Sequence, residues 1–412
     1  MGLTREVTNY VDSMYIGYTM GSQRSPVLYN SHTAQQNNNG NVTTIVGGQG
    51  GGKTSLTMKL FTQGAFQGHT EVAIDPKGDI AQVALLRKDI GRRMNIWDMS
   101  DPEKKYTGVL DPFRIIDIKS DDDRREVAAL VFVVVKLLYP LMDKKQEEYL
   151  VPIISDVMAN AYVVEPNMTV LVNALSRSQF EHARSLGSAL MQRRDIPFGH
   201  LLFSDAETKA EIVLDESAIT VFTMQGMPLP RDDDEEGIAE DAGKAVASTV
   251  FYLISYYILY LLNTADDDYV KTLFVDEAHM LAHSPKARKM LTETGRLGRS
   301  NNMALILASQ YNSDLAKLNI DNSITSRFQF RSTDEEDARH FVVKTRLPEN
   351  AGYEDLIKDL EVGTCLYQDW VGNPVSLIRI QLPKKWLHAF DTNPRTKRES
   401  MAKVDSTPFG AR

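Results

Sequence analysis

Gly47-Gly48-Gln49-Gly50-Gly51-Gly52-Lys53-Thr54 decides the fold of this chain. The stretch fits G-x-x-x-x-G-K-[ST], the phosphate-binding loop. Its glycines let successive backbone N–H groups turn inward and form a concave anion site. In such a loop Lys53 reaches the β- and γ-phosphates of a nucleoside triphosphate, and the Thr54 hydroxyl takes a place on Mg²⁺. The flanks agree. Val42-Thr43-Thr44-Ile45-Val46 is a β-branched strand leading in, and residues 55–63, from Ser55 on, are expected to form a helix stopped by Gly64. Strand, loop and helix N-terminus aim a helix dipole at a phosphate.

A second stretch completes the reading. Thr272-Leu273-Phe274-Val275-Asp276-Glu277 is an apolar strand ending in two carboxylates. In a phosphate-loop protein such a strand places Asp276 beside the Mg²⁺ shell and Glu277 beside the attacking water. Alone, an apolar run followed by Asp-Glu is a weak signal; paired with residues 47–54 it becomes a specific one. Ser309-Gln310 closes the next apolar run, and a polar side chain at the C-terminal edge of a parallel sheet faces the ligand crevice. Gln310 is therefore expected to sense the γ-phosphate or the water, the alternative being the start of a surface loop. Before that strand, Arg296 and Arg299 are candidate fingers that reach a neighbouring subunit's phosphates, with Arg299 preferred. The competing reading for both is surface solubility.

Bulk properties set limits. The 412 residues carry a formal net charge of −9, which argues against a surface that grips nucleic acid non-specifically but leaves a locally basic pore open. One cysteine, Cys365, excludes an intramolecular disulfide and fits a reducing cytoplasm. No secretory signal is visible. Residues 245–262 are uncharged and just reach the transmembrane threshold of about 18 residues, but the tyrosines at 252, 256 and 260 and a following strand favour a buried helix beside the nucleotide core. The chain is thus expected to have no integral membrane segment.

Along the chain, residues 1–40 are polar and mixed and read as an N-terminal extension, a loop rather than a domain. Residues 41–120 form the first part of the core, with strands at 71–75 and 94–97 and the turn Pro76-Lys77-Gly78-Asp79. Residues 121–205, punctuated by Pro140, Pro166 and Pro197, read as an all-helical block whose helix start is marked by Asp121-Asp122-Asp123. Residues 206–390 return to the core: strands at 219–223, 273–275 and 304–308, a helix at 285–297, and a hairpin turning at Gly372-Asn373-Pro374. The acidic run 231–241 is read as a solvated loop, and 391–412 as a mobile tail. Strands on both sides of the helical block make it an insertion into one α/β core.

Taken in order, residues 47–54, Asp75-Pro76-Lys77-Gly78-Asp79, Leu110-Asp111-Pro112-Phe113, Phe274-Val275-Asp276-Glu277-Ala278-His279 and the run 296–310 resemble the HerA–FtsK branch of RecA-like P-loop motors. Within it they are similar to the TraC-type ATPases of conjugation and type IV secretion, over roughly residues 15–385. The resemblance implies a RecA-like core, mostly parallel sheet flanked by helices, with an all-helical insertion. It implies a hexamer with nucleotide sites between subunits, ATP and Mg²⁺ as substrate and cofactor, and other secretion-channel subunits as partners. It places the protein in the cytoplasm, free or peripheral at the inner face of the cell membrane. Members of this type carry a further N-terminal domain, so the chain resembles the motor half alone. For Lys77 the resemblance leaves two readings, an approach to nucleotide across a subunit boundary or a plain polar turn. The expected function is an ATPase energising channel assembly or substrate transfer; the alternatives are a DNA-translocating motor and a nucleotide-gated scaffold with little turnover.

Overall fold

The structure, a computed structural model, describes residues 13–32, 40–81, 91–101, 103–161, 163–205, 207–208, 211–212, 219–228, 241–264, 270–279, 302–369 and 375–383. The chain divides into two compact units, one of Met1–Trp97, Leu214–Thr223 and Ala265–Arg412, the other of Asp98–Val213 and Met224–Thr264.

The first unit is built on one mixed sheet. Its strands among the described residues are β1 (Met14–Thr19), β2 (Pro26–Tyr29), β3 (Val42–Val46), β4 (Thr70–Asp75), β5 (Met94–Asp98), β6 (Ile219–Thr223), β7 (Lys271–Val275), β8 (Met303–Ser309), β9 (Ile324–Gln329), β10 (Thr364–Gln368) and β11 (Ser376–Ile380). They lie side by side in the order β2-β1-β11-β10-β9-β3-β8-β7-β4-β6-β5. From β9 across to β6 every pairing is parallel. Strands β3, β4, β6, β7 and β8 are buried at each residue, as parallel strands covered on both faces must be. β8 lies between β3 and β7, so the phosphate loop after β3 and the carboxylates after β7 flank the end of β8, where Gln310 follows.

The helix α1 (Lys53–Phe66) leaves the loop and packs against this sheet; Phe61 meets Phe274 of β7 edge-to-face, ring centroids 5.1 Å apart. Gly64 does not stop α1. It lies inside the helix, at a position where a Cβ would come within 1.9 Å of Glu71 Oε1 on β4. Glu71 is buried, and burial pushes its carboxyl up to about 7 against the pull of His69 and Thr272. The folded value exceeds the unfolded one, so the associated stability is complete below about pH 4.5 and is lost as pH rises through about 7. Glu71→Gln, always neutral, should match the parent at low pH and exceed it by about 2–4 kcal/mol at pH 8. Urea unfolding midpoints at pH 4 and pH 8 check this; an advantage that does not change with pH contradicts it.

Residues 14–29 correct the reading of the N-terminus as loop. β1 pairs antiparallel with β11, and β2 with β1, extending the sheet that β10 and β11 continue from β9. The alternation in Met14-Tyr15-Ile16 buries Met14 and Ile16, and Val27 and Tyr29 do the same on β2. Tyr29 shares a 2.6 Å hydrogen bond with Thr43 of β3, and its ring meets Phe328 of β9 at 5.5 Å. The hairpin expected near the C-terminus is present as β10 and β11; its turn lies outside the described residues. Cys365 and Tyr367 of β10 join the core cluster that includes α1, whereas Leu366 packs with the helices at Glu335–Lys344 and Tyr353–Lys358. Period-two alternation thus covers both faces of this end of the sheet.

The second unit is helical: α2 (Asp121–Leu138), α3 (Lys144–Ala159), α4 (Met168–Ser176), α5 (Glu181–Asp195) and α6 (Ala242–Thr264). The cap of α2 is Ser120, in a reciprocal box with Asp123, and the three aspartates fill its first turn. Asp143 with Gln146 repeats the box on α3, and Asn167 caps α4. Asp111 is the unit's buried knot. Its carboxylate accepts from the N–H groups of Phe113 (3.1 Å), Met168 (2.8 Å) and Ser204 (2.9 Å) and from the Ser204 hydroxyl (2.7 Å). The unit extends beyond residues 121–205, because α6 counts with it and packs on α2, Tyr256 donating to Glu126 at 2.9 Å. By length and composition Ala242–Leu262 could cross a membrane, yet 78% of its apolar window is buried within the protein. Residues 231–240, the helix expected at 285–297 and the tail 391–412 lie outside the described residues.

Candidate nucleotide-binding site

The loop that follows β3 is held from two sides. Gly48 donates its N–H to the Arg331 carbonyl at 2.7 Å, and the Gly51 carbonyl accepts from Gly363 at 3.0 Å, tying the loop to the chain after β9 and before β10. Gly47 has φ 151°, and a Cβ on it would meet the Cβ of Phe330 at 2.7 Å. Gly52 caps α1 with φ 111°, a conformation that side chains rarely adopt. Gln49 and Gly50 stand exposed at the lip, and Thr54 and Ser55 open α1 half-buried. The Lys53 ammonium donates to the carbonyls of Gly47 and Gly48. Burial lowers its affinity for the proton, while Asp276 and Glu277 oppose that. Each side of the site thus feels the charge of the other, although the two motifs are far apart in the chain.

At the end of β7, Asp276 donates its N–H to the Ile74 carbonyl of β4 at 3.0 Å. Burial, then the charge of Glu277, push its carboxyl up to about 6, against Lys77 and Lys53. Glu277 is buried with its backbone in the left-handed region, φ 55°. Burial works to raise its value, but the Lys77 hydrogen bond and charge, with His279 and Gln310, outweigh it and hold the carboxyl below the usual range. Gln310 Nε2 is 3.5 Å from Glu277 Oε1, and His279 Nδ1 is 3.3 Å from Oε2. The structure therefore brings Lys53, Asp276, Glu277 and Gln310 together at the C-terminal edge of the parallel strands, the crevice where open α/β sheets bind ligands. Arg296 and Arg299 lie outside the described residues.

Sequence reasoning missed three parts of this site. Lys77 pairs with Glu277 of its own chain, a contact its motif did not point to. Asp75, fully buried, accepts the N–H groups of Asp79 (3.1 Å), Ile80 (2.8 Å) and Ala81 (3.1 Å), fixing the turn that carries Lys77. Burial and the neighbouring Asp276 charge push Asp75 up to about 7. Beside the loop, Asn312 donates to Gln329 at 2.7 Å and to Asp337 at 3.0 Å, and Ser309 to Asp314 at 2.8 Å. No motif pointed to that network; the one signal is the clustering of short polar residues at strand ends.

The residues suit the group they are expected to bind. The glycine positions admit backbone to close approach where a side chain would collide, and Lys53 supplies the cation. The Thr54 hydroxyl and Asp276 carboxyl are hard oxygen donors of the kind Mg²⁺ takes when phosphates and waters complete its shell.

Comparison with known proteins agrees with this geometry. The family model described as an AAA-like domain matches residues 25–390. Among curated proteins, the uncharacterized protein YddE of Bacillus subtilis (strain 168) is 21% identical over 392 residues, 90% of this chain and 46% of that protein. The chain thus spans about half the length of this curated relative. Among solved structures, VirB4 of Thermoanaerobacter pseudethanolicus superposes with a TM-score of 0.70 at 16% identity, covering 91% of this chain and 98% of that one. The plasmid coupling protein TrwB in complex with the ATP analogue ADPNP gives 0.55 at 16% identity, covering 83% and 85%. These likenesses show a shared P-loop NTPase fold.

Proposed function

The chain belongs to the AAA-like domain family, and from that premise we propose that it is a Mg²⁺-dependent ATPase motor energising the assembly of, or substrate transfer through, a conjugation or type IV secretion apparatus. One observation carries the ATPase reading: the loop bearing Lys53 after β3 and the carboxylates Asp276 and Glu277 after β7 flank the same end of β8, where Lys53 and Asp276 each shift the other's proton affinity. The transport role rests on the ordered motifs and on the fold shared with VirB4 and a conjugative coupling protein.

The chain's residues divide the work. The loop amides and Lys53 bind the β- and γ-phosphates and fix the triphosphate along the loop. Thr54 and Asp276 would hold Mg²⁺, which when bound neutralises phosphate charge and favours displacement at the γ-phosphorus. Glu277 orients a water and accepts its proton on a carboxylate oxygen. Gln310, beside Glu277, couples the state of the γ-phosphate to the sheet edge. Arg299, or Arg296, completes the site of an adjacent copy in a hexamer.

Hydrolysis measured against protein concentration, alongside molar mass in solution, tests the assembly. Arg299→Ala should lower turnover of the assembled form by about 10³-fold and leave that of monomer unchanged. An equal loss in monomer contradicts a finger acting in trans. The coupling-protein likeness supports a second reading, a DNA-translocating motor. Strong stimulation by duplex DNA that weakens steeply with salt would favour it.

A further inference from the structure

We propose that Asp337 is a positioning residue for hydrolysis: its buried carboxylate fixes the segment that carries Gln310, and so sets that side chain's pose at the γ-phosphate end of the site. The proposal deepens the ATPase reading above and rests on it.

The segment is gripped on both sides of Gln310. Ser309, the residue before it, donates its hydroxyl to Asp314 at 2.8 Å. Asn312, two residues after it, gives its backbone N–H to Asp337 Oδ1 and its side-chain amide to the same oxygen at 3.0 Å. Ser309, Asn312, Asp314 and Asp337 are buried, whereas Gln310 is half-buried and Tyr311 exposed. Hydrogen bonds between desolvated groups are stiff, because breaking one strands a polar atom away from water. With anchors one residue before and two residues after it, Gln310 keeps little backbone freedom. The approach of its amide to Glu277 Oε1, 3.5 Å, is therefore set by those anchors.

Asp337 is itself held in place. It lies in the first turn of the helix Glu335–Lys344, where the cap Asp334 accepts its N–H at 2.7 Å and the helix dipole favours negative charge. The Asn312 amide also donates to Gln329 Oε1 at 2.7 Å, and Gln329 Nε2 donates to the Phe330 carbonyl at 2.9 Å. Phe330 in turn donates to the Val46 carbonyl and leaves no room for a side chain on Gly47. Gln310 is thus tied to the same end of β9 that holds the phosphate loop. Two observations set Asp337 apart from a packing residue. Its Oδ2 has no hydrogen-bond partner among the described residues, and a buried oxygen left so costs stability. Its charge also reaches the site: burial lowers the proton affinity of Lys53, and Asp337 is among the carboxylates that raise it.

The test uses the full chain with Asp337→Ala, Asp337→Asn, Asn312→Ala, Gln310→Ala, and Gln310→Ala combined with Asp337→Ala. Three quantities are read: turnover at saturating ATP with Mg²⁺, affinity for a fluorescent non-hydrolysable ATP analogue, and amide deuterium exchange over residues 309–316. Asp337→Ala and Asn312→Ala should each lower kcat about tenfold, the size expected for losing a buried hydrogen bond or two, with analogue affinity held within about twofold. Exchange should rise in Asp337→Ala, where the Asn312 N–H loses its acceptor. Asp337→Asn, whose amide oxygen can still accept from Asn312, should recover most of the rate. Gln310→Ala should lower kcat by itself, and adding Asp337→Ala should cost nothing more, since no side chain is left to position. Losses that multiply in the double variant overturn the proposal, as does a parental kcat or unchanged exchange in Asp337→Ala. A fall in affinity as large as the fall in kcat also overturns it, because the carboxylate would then support binding or folding at large. So does an Asp337→Asn as slow as Asp337→Ala, since charge rather than the accepted bonds would matter. Should Asp337→Ala fail to fold, Asn312→Ala, alone and with Gln310→Ala, decides by the same kinetic criteria. If the parent neither binds the analogue nor hydrolyses ATP, the ATPase reading fails and takes the proposal with it; every other contrary result strikes the proposal alone.

Discussion

Glu277→Gln is expected to keep nucleotide binding and to reduce ATP turnover by about 10²–10⁴-fold, the range a positioned general base supplies. The substitution is nearly isosteric, so the left-handed backbone at this position and the buried space around the side chain stay as they are. What changes is the charge. A glutamine cannot take the water's proton, and it loses the ionic component of its contact with Lys77. Affinity for a non-hydrolysable analogue is set by Lys53, the loop amides and the metal ligands, none of which the change removes. Steady-state hydrolysis equal to the parent's would rule out the role given to Glu277.

Lys53→Ala should weaken binding of the triphosphate by about a hundredfold, corresponding to the loss of charge-assisted hydrogen bonds worth roughly 3 kcal/mol, and should abolish measurable turnover with it. Folding should be spared. Among the described residues the Lys53 ammonium donates to the Gly47 and Gly48 carbonyls, and burial already penalises its charge. Removing it relieves that penalty while costing two local bonds, so the thermal midpoint should move little. Analogue titration beside a thermal melt separates the outcomes. Intact affinity would mean that the loop does not bind phosphate through Lys53, and a collapse of the melt would make the lysine structural.

The sequence carried the site's two ends because their chemistry is local. The glycines at 47 and 52 are dictated by their own φ values and by Phe330 pressing on the loop, and the strand before Asp276 reads as a continuous apolar run. Strand positions in the parallel block were legible for the same reason, since strands buried on both faces read as near-continuous apolar runs, here interrupted by a few buried polar residues such as Glu71 and Asp75. Non-local requirements were hidden. Gly64 looks like a helix stop until Glu71 is seen across from it. β1 and β2 are short, half-polar strands whose identity depends on β11, almost at the other end of the described chain. The partner of Lys77 could not be read at all, because it depends on how β4 and β7 pair side by side. The long helix at Ala242–Thr264 gave its character away but not its neighbour, as an apolar helix packs equally well on a sheet or on other helices.

The most direct measurement is a crystal structure of the Glu277→Gln variant with ATP and Mg²⁺. It should show the triphosphate lying along residues 47–54 with Lys53 on the β- and γ-phosphates, and the metal between the Thr54 hydroxyl and the Asp276 carboxylate. A triphosphate seated elsewhere, or an Asp276 carboxylate with neither a direct nor a water-mediated link to the metal, would contradict the account.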